Sequence, residues 1–221
     1  GTREGRSDKS VNSEFIEGLN YVRNNPVVIL ILLSTLVNGL LGRSFIELLP
    51  AVSGLLLMGG ASELAWLTAA AGTGAVLGGL LMSRQAAHVM GLYRLILVAL
   101  LGATLLLATL NWLDALISLA VVVGLITFTT TIAGTGCQAL TQLLIDPNYH
   151  GRVMSLWSMT MMASPALGAA TNGALAEWAG FVTTFAVASA LGVLAVLALY
   201  ARRRVVSDFA PEAIATTSDS R

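Results

Sequence analysis

A chain of 221 residues that is 56% hydrophobic, 11% charged and 6% aromatic cannot hide its apolar surface inside a soluble domain of that size, so lipid must be its solvent. Twelve basic and twelve acidic side chains leave a formal net charge of zero. The sidedness of the charge therefore carries more information than its sum, and no basic patch supports a nucleic-acid partner.

Residues 1–25 are too polar and too acidic to form an export signal, and they read as a linker from a longer protein. Within them Phe15, Ile16, Leu19, Tyr21 and Val22 recur at nearly helical spacing among Glu14, Glu17, Asn20 and Arg23. That pattern predicts a short amphipathic helix at the membrane surface. Pro26 suits the first turn of the helix that follows.

Six apolar stretches come next, over 26–48, 64–82, 92–110, 115–144, 153–175 and 182–200, each near or above the ~20 residues a spanning helix needs. Lys and Arg occupy the N-terminal segment, the second connection (Arg84, Arg94), the fourth (Arg152) and the tail (Arg202, Arg203, Arg204, Arg221). The odd connections hold only the acids Glu63, Asp114 and Glu177. Alternating positive charge predicts a polytopic protein with both ends in the cytoplasm. The domain plan is thus a linker at 1–25, a six-helix membrane domain at 26–201, and a basic stub with a disordered tail at 202–221.

Apart from Arg94 at the very start of the third, only Arg43 and Glu47 are charged inside the apolar stretches, and both lie in the first. Each costs ~2.5–3.5 kcal/mol at the bilayer centre, so both should face protein or water. Their spacing of four sets them on one helix side, and counting ~1.5 Å per residue from Pro26 puts Arg43 nearer the outer surface than the midplane. The pair reads either as an anion-attracting Arg43 beside a proton-carrying Glu47, or as an ordinary ion pair at the rim.

In the second stretch Gly74 and Gly78, with Gly72 and Gly79 beside them, suggest close backbone packing; GTGAVLGG is no phosphate loop, being mid-helix with no Lys-Ser or Lys-Thr after it. The fourth stretch carries a polar seam of Thr127, Thr130, Thr131, Thr135, Gln138 and Gln142. A threonine hydroxyl can bond a carbonyl of its own helix, so Gln138 and Gln142, one turn apart, are the harder pair to hide. They and Asn38, near mid-depth, either bond between helices or line a path; Trp157 and Asn172 rank lower. Pro165, Gly168 and Gly173 would allow the fifth helix to kink and slide. Cys137 lies inside the fourth stretch and reads as a small buried hydrophobe, and a single cysteine excludes disulfide and Cys-metal frameworks within one chain. His88 and His150 fall in turns, and no catalytic or metal-binding set lies at depth, so the chain does not read as an enzyme.

The most specific string is DPNYHGRVMSLW, Asp146 to Trp157. Asp146 and Pro147 stop a helix, Gly151 permits a tight bend and Arg152 starts the next helix. With Gln142 upstream, this string resembles the loop between helices ten and eleven of the major facilitator superfamily, in the branch of the enterobactin exporter and the transmembrane secretion effectors. It keeps Gly151, Arg152, Val153, Met154, Ser155 and the aromatic Trp157, has His150 in place of an Arg, and inverts Pro-Asp. Glu17-Gly18-Leu19, Tyr21-Val22-Arg23 and Asn25-Pro26 resemble the lead into helix seven of the same family.

The resemblance implies an all-α membrane fold, six transmembrane helices forming the C-terminal half of a major facilitator transporter. It implies an N-terminal six-helix half in the same parent chain, a bacterial inner (cytoplasmic) membrane location, a small-molecule substrate such as a siderophore or drug-like compound, and export driven by the proton gradient, with no cofactor. Arg43, Glu47, Asn38, Gln138 and Gln142 are then candidates for the substrate or proton path, and Arg84, Asp146, Gly151 and Arg152 for a cytoplasmic gate. The turn after helix eight lacks the family's Asp, leaving Arg84 and Arg94 as gate contacts or headgroup anchors. The competing reading is a truncated membrane scaffold that acts only through helix contacts.

Overall fold

The computed structural model describes residues 11–56, 60–84, 88–113, 115–147 and 149–207. The remainder of the N-terminal linker, Asp114 and the tail from 208 lie outside the described residues. Every regular element described is helical: α1 (Val11–Asn24), α2 (Pro26–Val37), a π segment (Asn38–Arg43), α3 (Ser44–Glu47), α4 (Leu49–Leu56), α5 (Ala61–Ser83), α6 (Val89–Thr109), α7 (Leu116–Leu144), α8 (His150–Ala179) and α9 (Phe181–Ala201). The protein is an all-α membrane protein. Each apolar stretch is helical to within a residue of its ends: the first runs through α2, the π segment and α3, and the others lie in α5, in α6 with the 3-10 turn Leu110–Trp112 that follows it, and in α7 to α9.

Five of the six helical passes are long and apolar enough to cross a bilayer: Pro26–Glu47, Ala61–Ser83, Val89–Trp112, Leu116–Leu144 and Phe181–Ala201. The sixth, α8, has 30 residues and ample length, but Ser, Thr, Asn, Gly and Pro dilute its hydrophobicity. Its outward side nevertheless shows Met159, Met162, Leu167 and Leu175.

Short connections make successive passes run in opposite directions, and contacts between them fix the neighbours. Tyr93 at the start of α6 donates its hydroxyl to the Leu199 carbonyl near the end of α9, at 3.2 Å. One buried cluster, with Val27, Ile31, Tyr93, Ile96, Cys137, Leu140 and Leu199, fills the end of the bundle nearest the chain's entry. Another, with Phe45, Leu67, Leu107, Leu119, Ile126 and Phe185, fills the opposite end. The two ends differ chemically. Trp66, Trp112 and Trp178, exposed by 67%, 76% and 87%, all belong to the second end, while Arg23, Arg84, Arg94, Arg152 and Arg202 to Arg204 belong to the first. Tryptophan with an apolar body and one N–H suits the headgroup zone of a membrane.

Two parallel helix pairs approach closely through small residues. A Cβ on Gly74 of α5 would overlap the Gly124 carbonyl of α7, and one on Gly78 would sit 2.7 Å from the Phe128 carbonyl. On the other side, a Cβ on Gly39 of the π segment would overlap Ser164 of α8, and one on Gly168 the Leu40 carbonyl. The spacing of four in the second stretch is thus a contact face, whereas Gly72 and Gly79 meet nothing within 4 Å. Without water, helices in lipid gain from such close van der Waals contact.

A side chain at Gly74 must push α5 off α7. Gly74→Leu is expected to cost ~1–3 kcal/mol or more, with Gly72→Ala neutral, as thermal unfolding of the detergent-solubilised protein would read out.

Candidate functional site

The π segment organises the centre of the molecule. The Ser44 N–H bonds the Gly39 carbonyl, five residues back, instead of Leu40. The Leu40 carbonyl accepts instead from Ser44 Oγ at 2.6 Å and, across to α8, from Asn172 Nδ2 at 3.4 Å. Asn172 Nδ2 also donates to Ser44 Oγ at 3.1 Å. Several turns nearer the arginine end, Trp157 Nε1 donates to Thr35 Oγ1 at 3.1 Å, whose own proton goes to the Ile31 carbonyl at 3.0 Å. Thr35, Gly39, Leu40 and Ser44 thereby meet Trp157, Ser164, Gly168 and Asn172 along a continuous seam. Trp157 and Asn172, which rank low by sequence, are structural links here. A spacing of seven, four and four on α8 is the signal that marks the seam.

On its other side the π segment meets α7. Asn38, 1% exposed, donates Nδ2 to the Thr130 carbonyl at 3.1 Å, and its Oδ1 has no hydrogen-bond partner among the described residues. A Cβ on Gly42 would lie 2.6 Å from Thr130 Cγ2. Asn38 therefore positions the backbone at Thr130 rather than lining a cavity.

Arg43, the last π residue, and Glu47, the last of α3, line a cavity of about 120 Å³ together with Ile46, Ala75, Thr127, Thr130 and Thr131. Both charged side chains are exposed, and no ion pair joins them among the described residues, although they are four apart. The threonines opposite, Thr127, Thr130 and Thr131, belong to the middle of α7. Thr127 Oγ1 donates to the Val123 carbonyl at 2.9 Å and Thr130 Oγ1 to the Thr127 carbonyl at 3.2 Å. These hydroxyl protons are committed, so their lone pairs are what the cavity can use.

The remaining path candidates are not brought to this cavity. Gln138 is half-buried and Gln142 exposed, further along α7, and neither bonds a described group. A larger hollow of about 820 Å³ opens between α5 and α7, walled by Trp66, Leu77, Ile117, Val121, Leu125 and Phe128. Thr73, its one hydroxyl residue, spends its proton on the Ala69 carbonyl at 2.8 Å. That hollow can hold hydrocarbon and offers little to orient anything else.

At the arginine end, the two family-like strings meet each other. Arg152 Nη1 lies 2.7 Å from Glu17 Oε2. The Tyr21 and Tyr149 rings stack at 4.4 Å, the Asp146 N–H donates to the Tyr21 hydroxyl at 3.4 Å, and Val22, Val28, Ile145 and Val153 close a buried patch beneath them. A Cβ on Gly18 would lie 3.2 Å from Arg152 Cβ, so glycine is what lets α1 lie this close to α8. Arg152 thus clasps α1 within this bundle. Asp146 and Pro147 do make the turn, with Tyr149 N–H on the Asp146 carbonyl at 2.9 Å. Gly151 does not bend it: α8 begins at His150, and a side chain at 151 would meet nothing. Arg84 and Arg94 are exposed and make no ion pair among the described residues.

The family described as transmembrane secretion effector matches residues 5–217 of this chain. No curated protein and no solved structure matches it.

Because a side chain at 18 collides with α8, Gly18→Val is expected to release α1 and speed tryptic cleavage after Arg23. Glu17→Gln should change that rate little, since a half-exposed pair is worth ~0–1 kcal/mol; limited proteolysis with mass detection separates the two.

Proposed function

Because the chain belongs to the transmembrane secretion effector family of the major facilitator superfamily, a family of membrane transporters, we propose that it is the C-terminal half of a proton-driven exporter of a small molecule, of the siderophore or drug-like class. The observation that carries this reading is the cavity in which Arg43 and Glu47, the two charges at depth, face the threonines of α7. Burying two charges in a spanning helix is costly, and facing a cavity rather than lipid lets water or substrate offset the cost.

In this reading α2, α7 and the cavity between them face an N-terminal six-helix half, and the two halves rock about a central path to give alternating access. The arginine end lies in the cytoplasm, where anionic headgroups attract it. Glu47 carries the proton. A proton crossing is worth ~2.3 kcal/mol per 100 mV. The clasp at Glu17 and Arg152 ties the segment that arrives from the other half to α8, and the seam ties α8 to the π segment beside the cavity. Movement of the linker could thereby reach the site through packed helices alone.

Accumulation of a labelled siderophore and of a dye in cells with and without the full-length gene tests the proposal. Arg43→Ala and Glu47→Gln are each expected to reduce efflux about tenfold, the loss of ~1.4 kcal/mol of charge-assisted interaction. Unchanged efflux in both would remove the pair from the path. Efflux of neither compound under any condition would favour a non-transporting scaffold.

A further inference from the structure

From the signs and commitments of the groups around the small cavity, we infer that it receives a zwitterionic head group, an anionic oxygen against Arg43 and a protonated amine against Glu47. This rests on the transport reading only in taking the cavity to be part of the substrate path.

Arg43 brings N–H donors and no acceptor, and an ionised Glu47 brings acceptors and no donor. The two are one turn apart, line the same hollow, and are not spent on each other or on any other described ion partner. Thr127 and Thr130 have given their protons to the Val123 and Thr127 carbonyls, so toward the cavity they add only lone pairs. The acceptors thus gather around Glu47 and α7, while the cavity's one cationic donor is Arg43. A simple anion would be drawn to Arg43 but would share about 120 Å³ with a carboxylate. A simple amine would suit Glu47 and the threonines but would face a guanidinium. Like charges brought together in one small cavity offset what the matching contact returns. Only a ligand with both signs a few bonds apart leaves neither side chain opposed.

The space is too small for a whole drug-like molecule, so it takes the charged end alone. Ile46 and Ala75 supply the apolar wall beside which the remainder leaves the cavity. The inference thus concerns the head group's chemistry and orientation, not the body of the substrate.

Three probes of one shape isolate the charges: L-phenylalanine, phenethylamine and 3-phenylpropanoate, bound at neutral pH to the purified full-length protein and measured by thermophoresis. L-Phenylalanine is expected to bind about tenfold more tightly than either single-charge probe. Arg43→Ala should bring its affinity down to that of phenethylamine, Glu47→Gln to that of 3-phenylpropanoate, and Gly72→Ala should leave all three unchanged. Equal affinity for the three probes, no binding of any, or 3-phenylpropanoate binding as tightly as L-phenylalanine with Glu47→Gln without effect, would overturn the inference. Selective binding of the zwitterion without efflux of any compound would strike the transport reading and leave the head-group assignment standing; efflux without charge preference in binding would do the reverse.

Discussion

In hydrocarbon a backbone carbonyl that loses its helical partner has no water to turn to, and this constraint governs the middle of the bundle. The π register leaves the Leu40 carbonyl without the Ser44 N–H. The Ser44 hydroxyl and the Asn172 amide repair the loss, which is why α8 must lie against this segment and nowhere else. Gly39 and Gly168 make that approach possible, since a methyl group at either would strike the facing helix. On the other flank Asn38 reaches the Thr130 carbonyl. One irregular turn is therefore held from two sides, and its last residue, Arg43, emerges beside the centre of α7.

The same logic of close approach recurs in the α5–α7 pair, where Gly74 and Gly78 lie on the backbone of α7. The two glycine-packed pairs run parallel and flank the cavity that holds Arg43 and Glu47. Three passes thus supply its walls, α2 with its continuation, α5 and α7. The α6–α9 side is different: there Tyr93 and the apolar cluster around it pack the two helices together. The hydrogen bonds that hold the π segment lie where small residues open the packing.

Much of the architecture was legible beforehand because its causes are local. Length and hydropathy mark each apolar stretch as a helix, and the alternation of arginine with acid distinguishes the two ends. Tryptophan at the opposite end from the arginines supports that division independently. The Gly74 and Gly78 face was readable because a spacing of four is a helix face whatever the neighbour is. Arg43 and Glu47 stood out because charge in a spanning helix is costly wherever it sits. Gly151 makes no bend at the start of α8, since glycine signals a bend only when the backbone needs one, and here the first turn of α8 already includes it.

What the sequence by itself determined is membrane residence, the helical passes, the two chemically distinct ends, the charged pair and the two family-like strings at Glu17 and Arg152. The first four follow from composition and periodicity, which act within one helix; the two strings were legible through their resemblance to a family. Only the tertiary structure decided that the two strings clasp each other, that Trp157 and Asn172 are seam residues, that Asn38 holds Thr130, and that Arg43 and Glu47 share a cavity without pairing. The reason is that a hydrogen bond between helices depends on the register of the partner helix and on a non-α turn, and a spacing along one helix fixes neither.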